Sequence, residues 1–154
     1  MANLEWRPSL IADESTGSSD KTLNVPNRIT WHLLSIWAEL TSSATTGNRQ
    51  LEIEIQDTAG DILAELHSGA VQAAGVTRYY LFAPDMMDLT SARDTDFFSS
   101  PLPSNIILPQ GFAVRIFDNG AIANPGSDAT PDDLIIQMLV EQRGERRQLT
   151  GTAN

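Results

Sequence analysis

Apolar and polar residues alternate with a period of two in several separate segments of the chain. That period marks β-strands with one face turned to a core. The cleanest example is Gln50 to Asp57, where Leu51, Ile53 and Ile55 face one way and Glu52, Glu54 and Gln56 the other. It predicts an antiparallel strand with one wet face. Thr58-Ala59-Gly60-Asp61 supplies a turn, and Ile62, Ala64 and Leu66 repeat the alternation. The two segments are expected to form a hairpin. Between Arg28 and Thr41, Ile29, Trp31 and Leu33 alternate, the phase slips at Leu34, and Ile36, Ala38 and Leu40 resume it. Leu33, Ile36, Trp37 and Leu40 also fit helical spacing, so two readings compete. A long strand with a β-bulge at Leu33-Leu34 is preferred, because one extra residue restores the register.

Further strands are expected at Val76 to Phe82, Ile106 to Leu108, Gly111 to Asp118 and Asp133 to Glu141. Asp118-Asn119-Gly120 is a strong turn signal. Helix signals are weak, and no internal repeat is visible. About eight short strands separated by turns predict an all-β fold, an antiparallel β-sandwich of jelly-roll-like kind. Residues 1–22 read as an N-terminal arm. Apolar Leu4, Trp6, Leu10 and Ile11 are followed there by the polar stretch Asp13 to Asp20, read as a linker. The sandwich is expected over 23–141, with an Arg-rich tail over 142–154. Ala83 to Asn105 is a long insertion, of the kind that is functional or holds an extra short element.

Composition then narrows the function classes. The 154 residues suit one domain. Acids outnumber bases 20 to 10, for a net charge of −10, which disfavours binding to a phosphate backbone. The absence of cysteine excludes disulfides, thiol nucleophiles and Cys-ligated metals. No secretory signal or spanning helix is read, so a soluble protein made in a cytoplasm is expected. Nine of the ten bases are Arg, and Lys21 is the single lysine. Arg is favoured at interfaces, although codon bias is the more ordinary explanation.

No motif of a nucleophile elbow, zinc protease, P-loop or dinucleotide fold occurs. His32 reads as an outward strand residue, and His67 as structural or solvent-facing. Two histidines make a weak case for zinc. Glu52 and Glu54 share a strand face and read as solvated or as edge-guarding charge rather than a glycosidase pair. Asp94-Thr95-Asp96 and Asp128 to Asp133 could offer oxygen ligands to Ca²⁺ but fit turn formation better. No enzyme, cofactor or metal is therefore expected. The aromatics are more suggestive. Adjacent Tyr79 and Tyr80 must point to opposite sheet faces, and Phe97 and Phe98 lie in the long insertion. An outward Tyr and a loop Phe are typical interface anchors.

Four segments, taken in order, carry a resemblance. They are Asn48-Arg49-Gln50 running into Leu51 to Asp57, then Tyr79-Tyr80-Leu81-Phe82-Ala83-Pro84, Arg93-Asp94-Thr95-Asp96-Phe97, and Gly111 to Asp118, with Asn24-Val25-Pro26-Asn27 as an opening turn. Across roughly Leu23 to Val140 the chain resembles small β-sandwich virion structural proteins of tailed bacteriophages. The resemblance implies no catalytic site. It implies a β-sandwich subunit of a virion, and the arm, the Arg-rich tail and the acidic faces fit a capsid decoration, or cement, protein that binds across seams of the major capsid protein and associates with copies of itself as a dimer or trimer. The virion would be its location, with no nucleic acid or membrane contacted directly. Its expected interface residues are Leu4, Trp6, Arg7, Leu10, Ile11, Tyr79, Tyr80, Phe97, Phe98, Arg143, Arg146 and Arg147. A head–tail connector or tail subunit, and a carbohydrate-binding jelly-roll module, are the rival expectations.

Overall fold

The computed structural model describes residues 5–87, 95–119 and 131–144. The alternation becomes ten strands and, among the described residues, no helix. They are β1 (Arg7–Asp13), β2 (Asp20–Asn24), β3 (Ile29–Thr41), β4 (Leu51–Gln56), β5 (Ile62–His67), β6 (Thr77–Ala83), β7 (Phe97–Pro101), β8 (Ile106–Leu108), β9 (Ala113–Asp118) and β10 (Asp133–Gly144). One sheet runs β1-β10-β3-β6-β7, with β8 also paired to β3, and the other runs β2-β9-β4-β5. The antiparallel pairs β1–β10, β2–β9 and β3–β8 are nested, as in a long hairpin of which successive stretches have gone to different sheets.

The all-β expectation holds, with two differences. There are ten strands rather than about eight, and β7 runs parallel to β6, so the larger sheet is mixed. β7 is the extra short element of the long insertion. The bulge falls where the phase slip placed it. Leu139 pairs with Ser35 and Val140 with Leu33, leaving Leu34 as the extra residue. Before it, β3 takes β8 as its second neighbour, and after it β6. The buried residues Trp31 and Leu33, then Ile36, Ala38 and Leu40, stay on one face throughout. They form one cluster with Leu51, Ile53, Val114 and Ile116 of the smaller sheet and Leu134, Ile136, Met138 and Val140 of β10. The sheets therefore pack against each other through their apolar faces in a sandwich-like arrangement. Each such side chain contributes about 1.5–3 kcal/mol on burial.

Residues 7–13 of the N-terminal stretch fold back on the domain as a strand. β1 pairs with β10 over its whole length, from Arg7 opposite Gln142 to Asp13 opposite Ile136, and Ile11 packs on the core. The polar linker is also tied down. Lys21, the single lysine, is buried and donates to Asp13 Oδ1 at 3.2 Å and to the carbonyl and hydroxyl of Ser15. Hydrogen bonds from Ser15 and the nearby ammonium hold Asp13 below the usual carboxylate range, against a smaller opposing effect of burial. β10 likewise runs beyond the expected sandwich boundary at 141.

One end of the molecule is closed by a buried polar lock. Arg49 is fully buried, and its guanidinium donates to Asp132 through Nε (2.7 Å) and Nη2 (3.1 Å), to the Gly47 carbonyl and to Ser43 Oγ. The Ser43 amide donates to the same carboxylate at 2.6 Å. Burial pushes Asp132 up, but the hydrogen bonds from Arg49 and Ser43 outweigh it and hold the carboxyl low. Arg49 exchanges backbone hydrogen bonds with Gln72, whose side chain donates to the Leu40 and Val76 carbonyls and accepts from Tyr80. The β3–β4 and β5–β6 connections and the start of β10 are joined in this way.

Candidate interaction surfaces

The outward positions of the two sheets differ in kind. On the larger sheet, β1 presents Leu10 opposite Leu139 of β10, and both are exposed, Leu10 at 61%. One strand further on, Trp37 of β3 lies beside Gln137 and Leu81. Its ring stacks on Tyr79 of β6, with centroids 6.1 Å apart and planes 24° from parallel. Tyr79 is in turn opposite Phe97 of β7, which is exposed at 39%. A band of apolar and aromatic side chains therefore crosses the face from β1 to β7.

At the β8 end of the same face, residues from the two ends of the chain meet. Trp6, just before β1, sits edge-on to His32 at 6.0 Å, and the Arg143 guanidinium lies 4.8 Å over the Trp6 ring. His32 Nδ1 is 3.3 Å from Glu141 Oε2. Trp6 and Arg143, read from the sequence as separate anchors on an arm and a tail, share one intramolecular cluster.

Of the other expected anchors, Leu10, Tyr79 and Phe97 lie on this face, and Arg7 is exposed on β1. Tyr80, Phe98 and Ile11 are corrections. Tyr80 and Phe98 are core residues, stacked at 5.6 Å, and the Tyr80 hydroxyl is satisfied by Gln72. Burial pushes that phenol up to about 12. Strand alternation sends one member of each pair inward, and here it is Tyr80 and Phe98. Ile11 points inward for the same reason. Leu4, Arg146 and Arg147 lie outside the described residues, as do Arg93 and Asp94 of the resemblance and Asp128. Trp37 and Leu139 were missed, although both fall out of phase with the inward residues of their strands, which was signal enough to find them.

The outer face of the smaller sheet is charged. Arg115 of β9 makes a two-pronged pair with Asp20 (2.9 and 2.7 Å) and reaches Glu54 Oε2 at 3.2 Å, while its guanidinium lies over Phe117. The hydrogen bonds it donates to Asp20 and Glu54 hold that guanidinium firmly protonated. Gln56 adds a 2.7 Å hydrogen bond to Glu54. Glu52 and Glu54 are buried, at 9% and 6% exposure, rather than solvated, because β4 is an interior strand flanked by β9 and β5. Their role as edge guards is thereby corrected. Next to them, His67 stands between two carboxylates, with Nδ1 3.3 Å from Glu52 Oε1 and Nε2 3.4 Å from Glu65 Oε1. Two of the aspartates weighed as Ca²⁺ ligands, Asp132 and Asp133, are engaged elsewhere. Asp132 holds Arg49, and Asp133 Oδ1 accepts from the Gly17 amide at 2.8 Å.

No protein-family model matches the chain, and no curated protein matches its sequence. Among solved structures, a chain from "Structure of infectious bursal disease virus Gx strain" aligns with 11% identity and a TM-score of 0.34, over 92% of this chain and 38% of that one. This chain thus spans well under half the length of the chain it aligns with. A likeness at that score carries no argument about fold or function.

Proposed function

We propose that the protein is a non-enzymatic virion structural subunit of the tailed-phage kind, a jelly-roll sandwich that decorates the head. It docks on the major capsid protein through the outer face of its larger sheet. The observation that carries this reading is the aromatic and aliphatic band from Leu10 and Leu139 through Trp37 and Tyr79 to Phe97. Outward strand positions in a solvated sheet are ordinarily polar, and exposed Leu and Phe beside a half-buried Trp–Tyr stack mark an interaction site. The sequence resemblance supplies the kind of partner. The jelly-roll reading is supported by the nested pairs β1–β10, β2–β9 and β3–β8 and by the strand orders β1-β10-β3-β6 and β2-β9-β4-β5, the pattern expected of a rolled hairpin with Greek-key connections. Fold class alone would leave function open, so the weight rests on the face.

Symmetric self-association on the particle is part of the proposal, and the −10 charge would keep copies apart before they dock. The test adds purified chain to heads that lack it, counts bound copies and measures thermal rupture. Decoration predicts saturation at hundreds of copies and a higher rupture temperature. A dozen copies or fewer would assign the protein to the neck or tail. Glycan binding by the Trp37–Tyr79 stack without head binding would favour the carbohydrate module.

A further inference from the structure

We infer that Glu52, Glu65 and His67 form a binding site for a divalent transition-metal ion of the zinc class, on the outer face of the smaller sheet. The inference stands apart from the virion reading. It begins with register. Glu52 of β4 is directly opposite His67 of β5, and Glu54 is opposite Glu65. Glu65 and His67 are two residues apart on one strand and so share its outward face with Glu52. The hairpin turn holds this register. Asp57 Oδ1 accepts the amides of Ala59 and Asp61, and Gly60 takes a φ of 87°, which a side chain would strain.

The two glutamates of β4 are partnered differently. Glu54 has Arg115 and Gln56 for partners. Glu52, two residues away and nine-tenths buried, has neither an arginine nor a lysine among the described residues, and the one group facing its carboxylate is the His67 ring. Arg115 is already committed to Asp20 and Glu54. The His67 ring meets a carboxylate at each nitrogen. Two carboxylates and an imidazole thus share one stretch of the outer face, and a buried carboxylate with no arginine or lysine beside it among the described residues is costly.

A metal ion resolves this. One donor atom from each of the three residues lies within 4.8 Å of the others. Ligands about 2.0–2.1 Å from a tetrahedral zinc ion stand roughly 3.3–3.4 Å apart, and the His67–Glu52 separation is 3.3 Å. Imidazole nitrogen with carboxylate oxygen is a donor set that suits zinc and its neighbours. His67 and Glu65 are half-exposed, which leaves room for water to complete the shell. The ion would also staple edge strand β5 to β4.

The experiment uses the full chain, stripped with chelator and titrated with Zn²⁺ by calorimetry at neutral pH, with Co²⁺ as a spectroscopic probe. The expected result is saturable one-to-one binding, visible Co²⁺ bands and a raised Tm. Glu52→Gln and His67→Ala should each weaken binding by at least roughly tenfold, a scale seen even for groups one shell removed from a metal. His32→Ala, which removes the chain's other histidine, should leave it unchanged. Absence of saturable binding overturns the site. So does binding that survives His67→Ala or that follows His32. A cluster that responds to protons alone, with no metal uptake at any pH, overturns it too.

Discussion

The outward positions of the larger sheet carry Leu10, Leu139, Trp37, Leu81, Tyr79 and Phe97, whereas those of the smaller sheet carry Asp20, Arg115, Glu54, Glu52, Glu65 and His67. The inward positions of both sheets are mainly apolar and form one core, with Lys21, Ser100 and Asp118 as buried polar exceptions. The period-two pattern thus specifies the fold on one side of every strand and leaves the other side free to carry function. One free face carries the aromatic band proposed to dock, and the other is charged, with Arg115 paired to Asp20 and Glu54 and with Glu52, Glu65 and His67 proposed to hold a metal. The contrast gives the molecule a direction. A subunit bound through its apolar face presents its acidic face outward, where net negative charge opposes stray association.

The largest effect should come from what both faces share. Arg49→Ala leaves Asp132 buried without its counter-charge, a change expected to cost about 3–5 kcal/mol. Urea denaturation should show it, and both docking and metal binding should fail together. The same lock fixes a pH dependence. Asp132 is held low in the folded state, so its contribution is complete above the unfolded value of about 3.9 and is lost as pH falls through the lower folded value. Stability measured from pH 6 to pH 2 should fall in that acid window, and Asp132→Asn should lack this component of the slope.

The next effect separates the faces. Trp37→Ala and Tyr79→Ala should each weaken docking by roughly 30-fold or more, the size of an interface hot spot. Zn²⁺ uptake by these variants should match that of the unaltered protein. A docking affinity unchanged by both would break the comparison. The smallest effect sharpens it from the other side. Arg115→Ala removes a half-exposed ion-pair partner and leaves Glu54 with Gln56. A loss of about 1 kcal/mol in stability is expected, with docking unaltered.

Much of this sidedness was legible in the sequence, because it is local. The slip at Leu34 fixed the bulge, and Leu51 to Ile55 fixed the inward face of β4. What was not legible depends on partners far along the chain. β1 carries Leu10 and Ile11 side by side, which blurs its alternation, and it is a strand because β10 lies beside it. The burial of Glu52 and Glu54 follows from flanking strands that no local pattern reveals. The Arg49–Asp132 lock joins residues 83 positions apart. The cluster at His67 needed the cross-strand register to bring Glu52 opposite it.

The central claim is that the larger sheet's outer face is the docked one. Oxidative footprinting of the free and head-bound protein tests it most directly. The account predicts that Leu10, Trp37, Tyr79 and Phe97 are modified in the free protein and protected on the particle, while His67 and Phe117 keep the same reactivity in both. Protection of His67 and Phe117, with Trp37 and Phe97 still open on the particle, would contradict it.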